Sequence, residues 1–546
     1  MSTKITPPMV LAGLTVAVAA GVVAWAGRGG GLDHPSEAQL LGIVSTNRIQ
    51  SLNPLEPSPP GTALMRTRLM QALREGLLEL DPATQEPRAL GAESWEIAPD
   101  NTAVVLHLRN SARWSNGDPV VAQDYVFAIH EALASRAPAA DALMILKNAR
   151  AFLDGRLAGV RAVGATAVDA HTLRFDLDQP VRGLLVELCD KAWLPLHARS
   201  MAALRDGSYW RDPSLLVTNG AFALAHASSD AITLRPNPYY HDRQSVRLAG
   251  IVVRFAESED VYPRVLQAGL AQLSDRLASA AVAEDLPPGV RLWEDPTLAT
   301  GFVHFNLRRA PLADERVRQA LSLALDRTAL ARSVAPGSVR PAFTCLPPIG
   351  DWARQHTVEE NLGDAQRLLA EAGFPGGRGF PVLRWPFRTA AIDAAQRVPE
   401  LCADQWRSRL GIQVYVLPVD DAEFQRRLAV HDYDVVLAAL VGSVPDLAHI
   451  ASQLAGSAMR SYSGWNAGAL PEIVGIAREA TGEVRTNLLR DVERTFLVEM
   501  PATPVIVYDR HTFKHDSVAG WYPDSTGLHP LKYLYLTEPG TATHGD

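Results

Sequence analysis

His511 and His515 stand four residues apart, a spacing that brings two imidazoles onto one metal ion when the segment is helical. The stretch leading into them, Thr503 to Tyr508, reads as extended, and on a strand the two rings would lie about 13 Å apart. Both are therefore expected as surface histidines. Asp118 and Asp124 are spaced like a carboxylate pair for acid/base work, but they follow Trp114-Ser115-Asn116-Gly117 and flank a helix start. Turn and capping chemistry explains them better. The run Gly373-Phe374-Pro375-Gly376-Gly377-Arg378-Gly379 could cradle an anion only if it preceded a helix, whereas it follows one and carries a proline. Cys189, Cys345 and Cys402 show no paired spacing for zinc or redox chemistry and allow at most one disulfide. No G-x-S-x-G elbow, G-x-x-x-x-G-K-[ST] loop, H-E-x-x-H or D-x-D-x-D-G motif occurs. No metal, cofactor or catalytic constellation is expected.

The elements that would carry a site change style along the chain. Residues 32 to about 75 read as a loop-rich opening segment, with Ser51-Leu52-Asn53-Pro54-Leu55 and a Pro-rich turn from Pro57 to Gly61. Val104, Leu106 and Leu108 alternate as on a half-buried strand, as do Leu173, Phe175 and Leu177. From Asp314, a plausible N-cap, Val317, Ala320, Leu321, Ala324 and Leu325 mark one buried helical stripe. Ala365, Leu368, Leu369 and Ala372 repeat it before Gly373. A strand at Val382 to Trp385, a helix near Pro399 to Leu410, a strand from Ile412 to Leu417 and the apolar run Val435 to Leu440 then alternate with βαβ logic, implying a sheet buried on both faces.

At 546 residues the chain is too long for one core, and a prior of about 150 residues per domain suggests three or four lobes. Hydrophobic residues at 47% and charged ones at 21% describe a globular body, not a disordered or polytopic membrane protein. The net charge of -8 is spread out, with no basic stripe to neutralise phosphates, so nucleic acid is excluded as an expected partner. Lys4 precedes an apolar stretch from about Pro7 to Ala26 that ends in Ala24-Trp25-Ala26, a small-x-small cleavage pattern. Residues 1–31 are read as a signal peptide or an uncleaved N-terminal membrane anchor, since about 20 apolar residues also suffice to span a bilayer. Export follows from either reading.

Glu75-Gly76-Leu77-Leu78, Pro87 to Leu90, Ser94-Trp95, Leu106 to Arg109 and Trp114-Ser115-Asn116-Gly117-Asp118-Pro119, with Ala122 and Asp124, form an ordered series. It continues through Asn219-Gly220-Ala221-Phe222, Asn237-Pro238-Tyr239-Tyr240, Phe305-Asn306, Gly411-Ile412, Tyr433-Asp434, Gly520-Trp521-Tyr522-Pro523 and His529-Pro530-Leu531-Lys532. This series resembles the oligopeptide- and dipeptide-binding proteins of ABC importers over most of the chain, and its last two motifs resemble the oligopeptide branch. The resemblance implies an α/β, two-lobed periplasmic-binding-protein fold of the large, three-domain type, with a hinge and an extra β-rich domain. It places lobe I at 33–75, 200–298 and 507–546, the β-rich domain at 76–199 and lobe II at 299–506, with crossings near residues 298 and 506. It also implies a monomeric periplasmic receptor that captures a peptide or peptide-like ligand and hands it to ABC permease subunits in the inner membrane.

The same resemblance carries Glu75, Phe127, Asn219, Gly442, Ser443 and Asp446 to the ligand site. Phe127 stands where oligopeptide binders tend to have a tyrosine, and it lacks the hydroxyl. Family members that bind free peptides set an aspartate against the ligand's α-ammonium group, in the stretch that here reads Ala438 to Asp446; Ser443 takes its position in an ungapped alignment. A neutral hydroxyl cannot offset a buried ammonium. Either Asp446 takes over, or the ligand lacks a free amine, or peptide binding is lost. Trp465, after Tyr462-Ser463-Gly464, is expected to pack rather than to stack on ligand. Two rival functions keep the same chain features: a membrane-anchored sensor or chaperone, which an uncleaved N-terminus would favour, and a peptide or cell-wall hydrolase, which a peptidase assay would expose.

Overall fold

The computed structural model describes residues 39–537 except 58–62, 82–83, 85, 182, 276–285, 296, 335–338, 348–351, 353–356, 389–392, 443–445 and 523–527. The apolar leader and Ser443 lie outside the described residues. Among those described, no helix is long and apolar enough to cross a membrane.

Three larger sheets organise the molecule. A seven-stranded sheet is built on the parallel pair Leu40–Ser45 and Gly250–Phe255, and it gathers strands from residues 222–236, 273–274, 290–295 and 510–515. Its core holds Leu41, Ile43, Phe222, Ile232, Ile251 and Val253, all nearly inaccessible. A four-stranded antiparallel sheet, Ala92–Ile97, Ala103–Leu108, Thr172–Asp176 and Ala165–Ala167, packs the helix Ala122–Ala134 over Val104, Leu106 and Phe175. A second four-stranded sheet joins Val339–Pro341, Ala502–Tyr508, Ala299–Phe305 and Val435–Val441.

The chain passes between the seven-stranded sheet and this last sheet twice, after Asp295 and at Asp509. Asp295 pairs with Arg510 on one side, and Thr300 pairs with Val507 on the other. The second passage comes after Tyr508, because Ala502–Tyr508 runs past the expected crossing near 506. Thr297 donates its hydroxyl hydrogen to the Tyr508 carbonyl and accepts the Ala299 N–H, which ties the two passages together.

Several elements follow the residue pattern. Asp314 caps the helix Glu315–Leu323 by accepting the Arg316 N–H at 2.9 Å, and Val317, Ala320 and Leu321 form its buried stripe. The helix Leu362–Glu371 is capped by Asn361. Asp118 lies in the turn after Trp114, and Asp124 accepts the Val121 N–H at the start of Ala122–Ala134. Trp465 is buried against Phe496.

Other expectations need correction. The opening segment is not loop-rich: Leu40–Ser45 is an interior strand of the largest sheet, and Ala63–Leu73 is a helix. The helix expected from Pro399 begins at Asp393, with Pro399 inside it. Leu383–Arg388 and Val414–Val419 are indeed a parallel pair around that helix, but among the described residues the pair has no third strand and Tyr415 is 60% exposed. Val435–Val441 instead joins the antiparallel sheet beside Ala299–Phe305. His511 is buried rather than on the surface, because its strand pairs with both Val290–Asp295 and Leu273–Ser274.

Candidate functional site

Between the seven-stranded sheet and the second four-stranded sheet, beside the hairpin of Leu78–Leu80 and Pro87–Ala89, a cavity of about 420 Å³ opens. Leu64, Thr67 and Gln71 of the helix Ala63–Leu73 and the following Arg74, Glu75 and Gly76 form its floor. Leu78, Glu79, Cys189, Asp190, Lys191 and Leu194 make one wall, while His529, Pro530, Lys532 and Tyr533 make another. Val441 and Gly442, at the end of the strand Val435–Val441, close it from the side of the second four-stranded sheet. The cavity thus takes residues from both sides of the two crossings, Arg510 from the seven-stranded sheet and Val441 from the second four-stranded sheet, as ligand sites between lobes do.

Glu75 is fixed from every direction. Its backbone N–H donates to Asn219 Oδ1 at 3.1 Å, and Asn219 Nδ2 donates back to the Glu75 carbonyl at 2.9 Å. The side chain, 4% exposed, accepts the Tyr240 hydroxyl at 2.6 Å; His241 Nε2 lies 2.6 Å from its other oxygen and Lys532 Nζ lies 3.4 Å away. Burial by itself would push the carboxyl up, but the Lys532 charge and the His241 and Tyr240 hydrogen bonds outweigh it and hold Glu75 below the usual carboxylate range. Lys532 also meets Glu79 at 2.8 Å, and the two carboxylates overcome its burial and raise its pKa well above the ordinary lysine value. Glu79 further accepts from Tyr533 and Arg88 at 2.5 and 3.1 Å. The floor of the cavity is thus a charged network whose acids and bases satisfy one another.

Asp190 differs from these carboxylates. Its Oδ1 accepts the Ala192 N–H at 2.8 Å, and burial moves its pKa upward. Beside it, burial pushes the Cys189 thiol up to about 12, so this cysteine is a poor nucleophile.

The residues singled out in the sequence divide. Glu75 and Asn219 meet directly, and Glu75 and Gly442 both line the cavity. Gly442 is packed so closely that a Cβ there would lie 2.8 Å from Ile450 Cδ1 and 3.0 Å from Leu298 Cβ. Phe127 is outside the lining: it is half-buried and packs against the core of the seven-stranded sheet, because its face of the helix turns away from the cavity. Asp446 is spent on structure. Its Oδ1 caps Leu447–Leu454 by accepting the His449 N–H at 2.8 Å, and its Oδ2 is bound by Arg485. Tyr240 and Lys532 belong to motifs visible in the sequence, yet nothing there shows that they converge on Glu75 from 165 and 457 positions away.

Residues 86–460 match the model for bacterial extracellular solute-binding proteins, family 5. The periplasmic murein peptide-binding protein MppA of Escherichia coli is 26% identical over 493 residues, covering 82% of this chain and 89% of that protein. The periplasmic oligopeptide-binding protein OppA of Salmonella typhimurium is 25% identical over 563 residues and covers 98% of both. Among solved structures, that of the Escherichia coli murein tripeptide-binding protein MppA shares the fold with a TM-score of 0.76, at 24% identity, over 92% of this chain and 99% of that one. The Haemophilus influenzae OppA complex with the peptide RPPGFSPFR gives 0.74 at 22% identity, over 92% and 99%.

Proposed function

The chain belongs to the bacterial extracellular solute-binding proteins, family 5, and we propose that it is the receptor of an ABC importer that captures short peptides in the cavity around Glu75 without changing them. The observation that carries this reading is the cavity itself, lined from both sides of the two strand crossings that join the seven-stranded sheet to the second four-stranded sheet. The printed functions of MppA and OppA, murein peptide and oligopeptide binding, support the ligand class. In this reading 33–75, 200–298 and 507–546 form lobe I, 76–199 the β-rich domain and 299–506 lobe II.

Capture works by closure. A peptide shut between the lobes loses water from its backbone, so its N–H and C=O groups must find protein partners, while its side chains can occupy hydrated pockets. Contacts made only when the lobes are shut shift the population toward the closed form, which a membrane permease can read as loaded. Glu75, Asn219 and Lys532 keep the lobe I wall rigid, so that little ordering remains to be done on binding. The protein acts in the periplasm as a monomer and carries its ligand to permease subunits of the inner membrane.

Small-angle scattering and thermal melts of the protein, with and without a library of tri- to pentapeptides, test this function. A peptide-dependent compaction with a higher Tm is expected. No change in either would overturn the reading.

A further inference from the structure

Three carboxylates line the cavity among the described residues: Glu75, Glu79 and Asp190. Glu75 and Glu79 share Lys532, and Glu79 also holds Arg88. Asp190 has no cation within ion-pairing distance among the described residues; its carboxylate makes one hydrogen bond, from Ala192 N–H to Oδ1. Lys191, which also lines the cavity, and His449 act on Asp190 only from beyond pairing distance, so Asp190 is the cavity carboxylate with room for a cation to join it directly.

Its placement suits a ligand end. The Asp190 N–H donates to the Glu187 carbonyl at 3.1 Å, which folds Asp190 into the turn after the short helix Leu184–Glu187. The Glu187 side chain lies 3.1 Å from His449 Nδ1, so this turn sits against the helix that Asp446 caps. Val441 and Gly442, which lead toward that helix, line the same cavity as Asp190. Asp446 is itself engaged by Arg485 and by the helix N-terminus, and it has no oxygen to spare.

We propose that Asp190 receives the ammonium group of the ligand. The inference rests on the peptide-receptor reading and assigns that ligand a free amine, held from the β-rich side of the cavity rather than by the loop that contains Ser443.

The test is capture by the full-length exported protein, read by native mass spectrometry, from two libraries in competition: tri- to pentapeptides with free amino termini, and the same peptides N-acetylated. The parent protein is expected to prefer free amines by about tenfold, the scale of one charge-assisted hydrogen bond. Asp190→Asn keeps the acceptor for Ala192, and Asp190→Ser is also a good cap; both should erase the preference while still capturing acetylated peptides. Asp446→Asn should keep the preference. A parent with no preference, or an Asp190→Asn variant that retains it, would overturn the inference while leaving peptide capture intact. Loss of both libraries in both Asp190 variants would assign this residue a structural role and also overturn it. A parent that takes neither library removes the peptide-receptor reading, and the inference with it.

Discussion

His449 Nδ1 lies 3.1 Å from Glu187 Oε1, joining the helix Leu447–Leu454, beside the second four-stranded sheet, to the turn that bears Asp190. Both side chains are about one-fifth exposed. The contact bridges the helix Leu447–Leu454 and the turn after Leu184–Glu187, so an arrangement that parts these two elements breaks it. Charges this accessible are screened, and the pair contributes about 0.5 kcal/mol. His449→Ala should therefore release ligand about twofold faster without lowering Tm appreciably, as stopped-flow dissociation would reveal. An unchanged release rate would mean that the pair is incidental to closure.

Glu75→Gln should be far more damaging. It removes the charge that Lys532 and His241 face in a buried site, and such half-broken pairs cost about 3 kcal/mol. Glu79 remains to Lys532, which softens the loss. Denaturant unfolding of the variant against the parent measures it.

The same residue sets a pH dependence. Because Glu75 has a lower pKa folded than unfolded, its contribution to stability is present above the unfolded carboxylate pKa and disappears as pH falls through the folded value. Acid should therefore narrow the stability gap between parent and Glu75→Gln. A gap that widens on acidification would contradict the network described around Glu75.

Gly442→Ala inserts a methyl between Ile450 and Leu298, both nearly inaccessible. Overpacking of this kind costs about 1–3 kcal/mol. The added methyl also displaces the residues that close the cavity, so weaker ligand capture should accompany the lower Tm in a thermal-shift titration.

Asp446→Ala should cost about 1 kcal/mol through the lost helix cap and leave the choice of ligand untouched. Equilibrium unfolding checks the first part, and ligand competition checks the second.

How far the residues alone reveal this molecule depends on how local each feature is. Asp314 and the stripe Val317, Ala320, Leu321 lie within one helix, and periodicity exposes them. Leu40–Ser45 is short, and its partners Gly250–Phe255 and Leu273–Ser274 are more than 200 residues away, so no local pattern marks it as the interior of a sheet. Phe127 stands at a recognisable position, but the face of its helix is set by packing over Val104, Leu106 and Phe175, which leaves Phe127 against the core of the seven-stranded sheet. Asp446 reads as an ordinary loop or capping residue more readily than as a ligand group, and the His449 N–H and Arg485 beside it show that cap. Asp190 could not be found at all, because its distinguishing property, a cavity carboxylate with no ion-pair partner among the described residues, exists only once the chain is folded.

The most direct test of the account is native mass spectrometry of the protein taken gently from its own exported compartment, followed by release and identification of what it carries. The account predicts a mixture of short peptides with free amino termini. A single non-peptide compound, or an empty protein that also ignores a peptide library in thermal-shift assays, would contradict it.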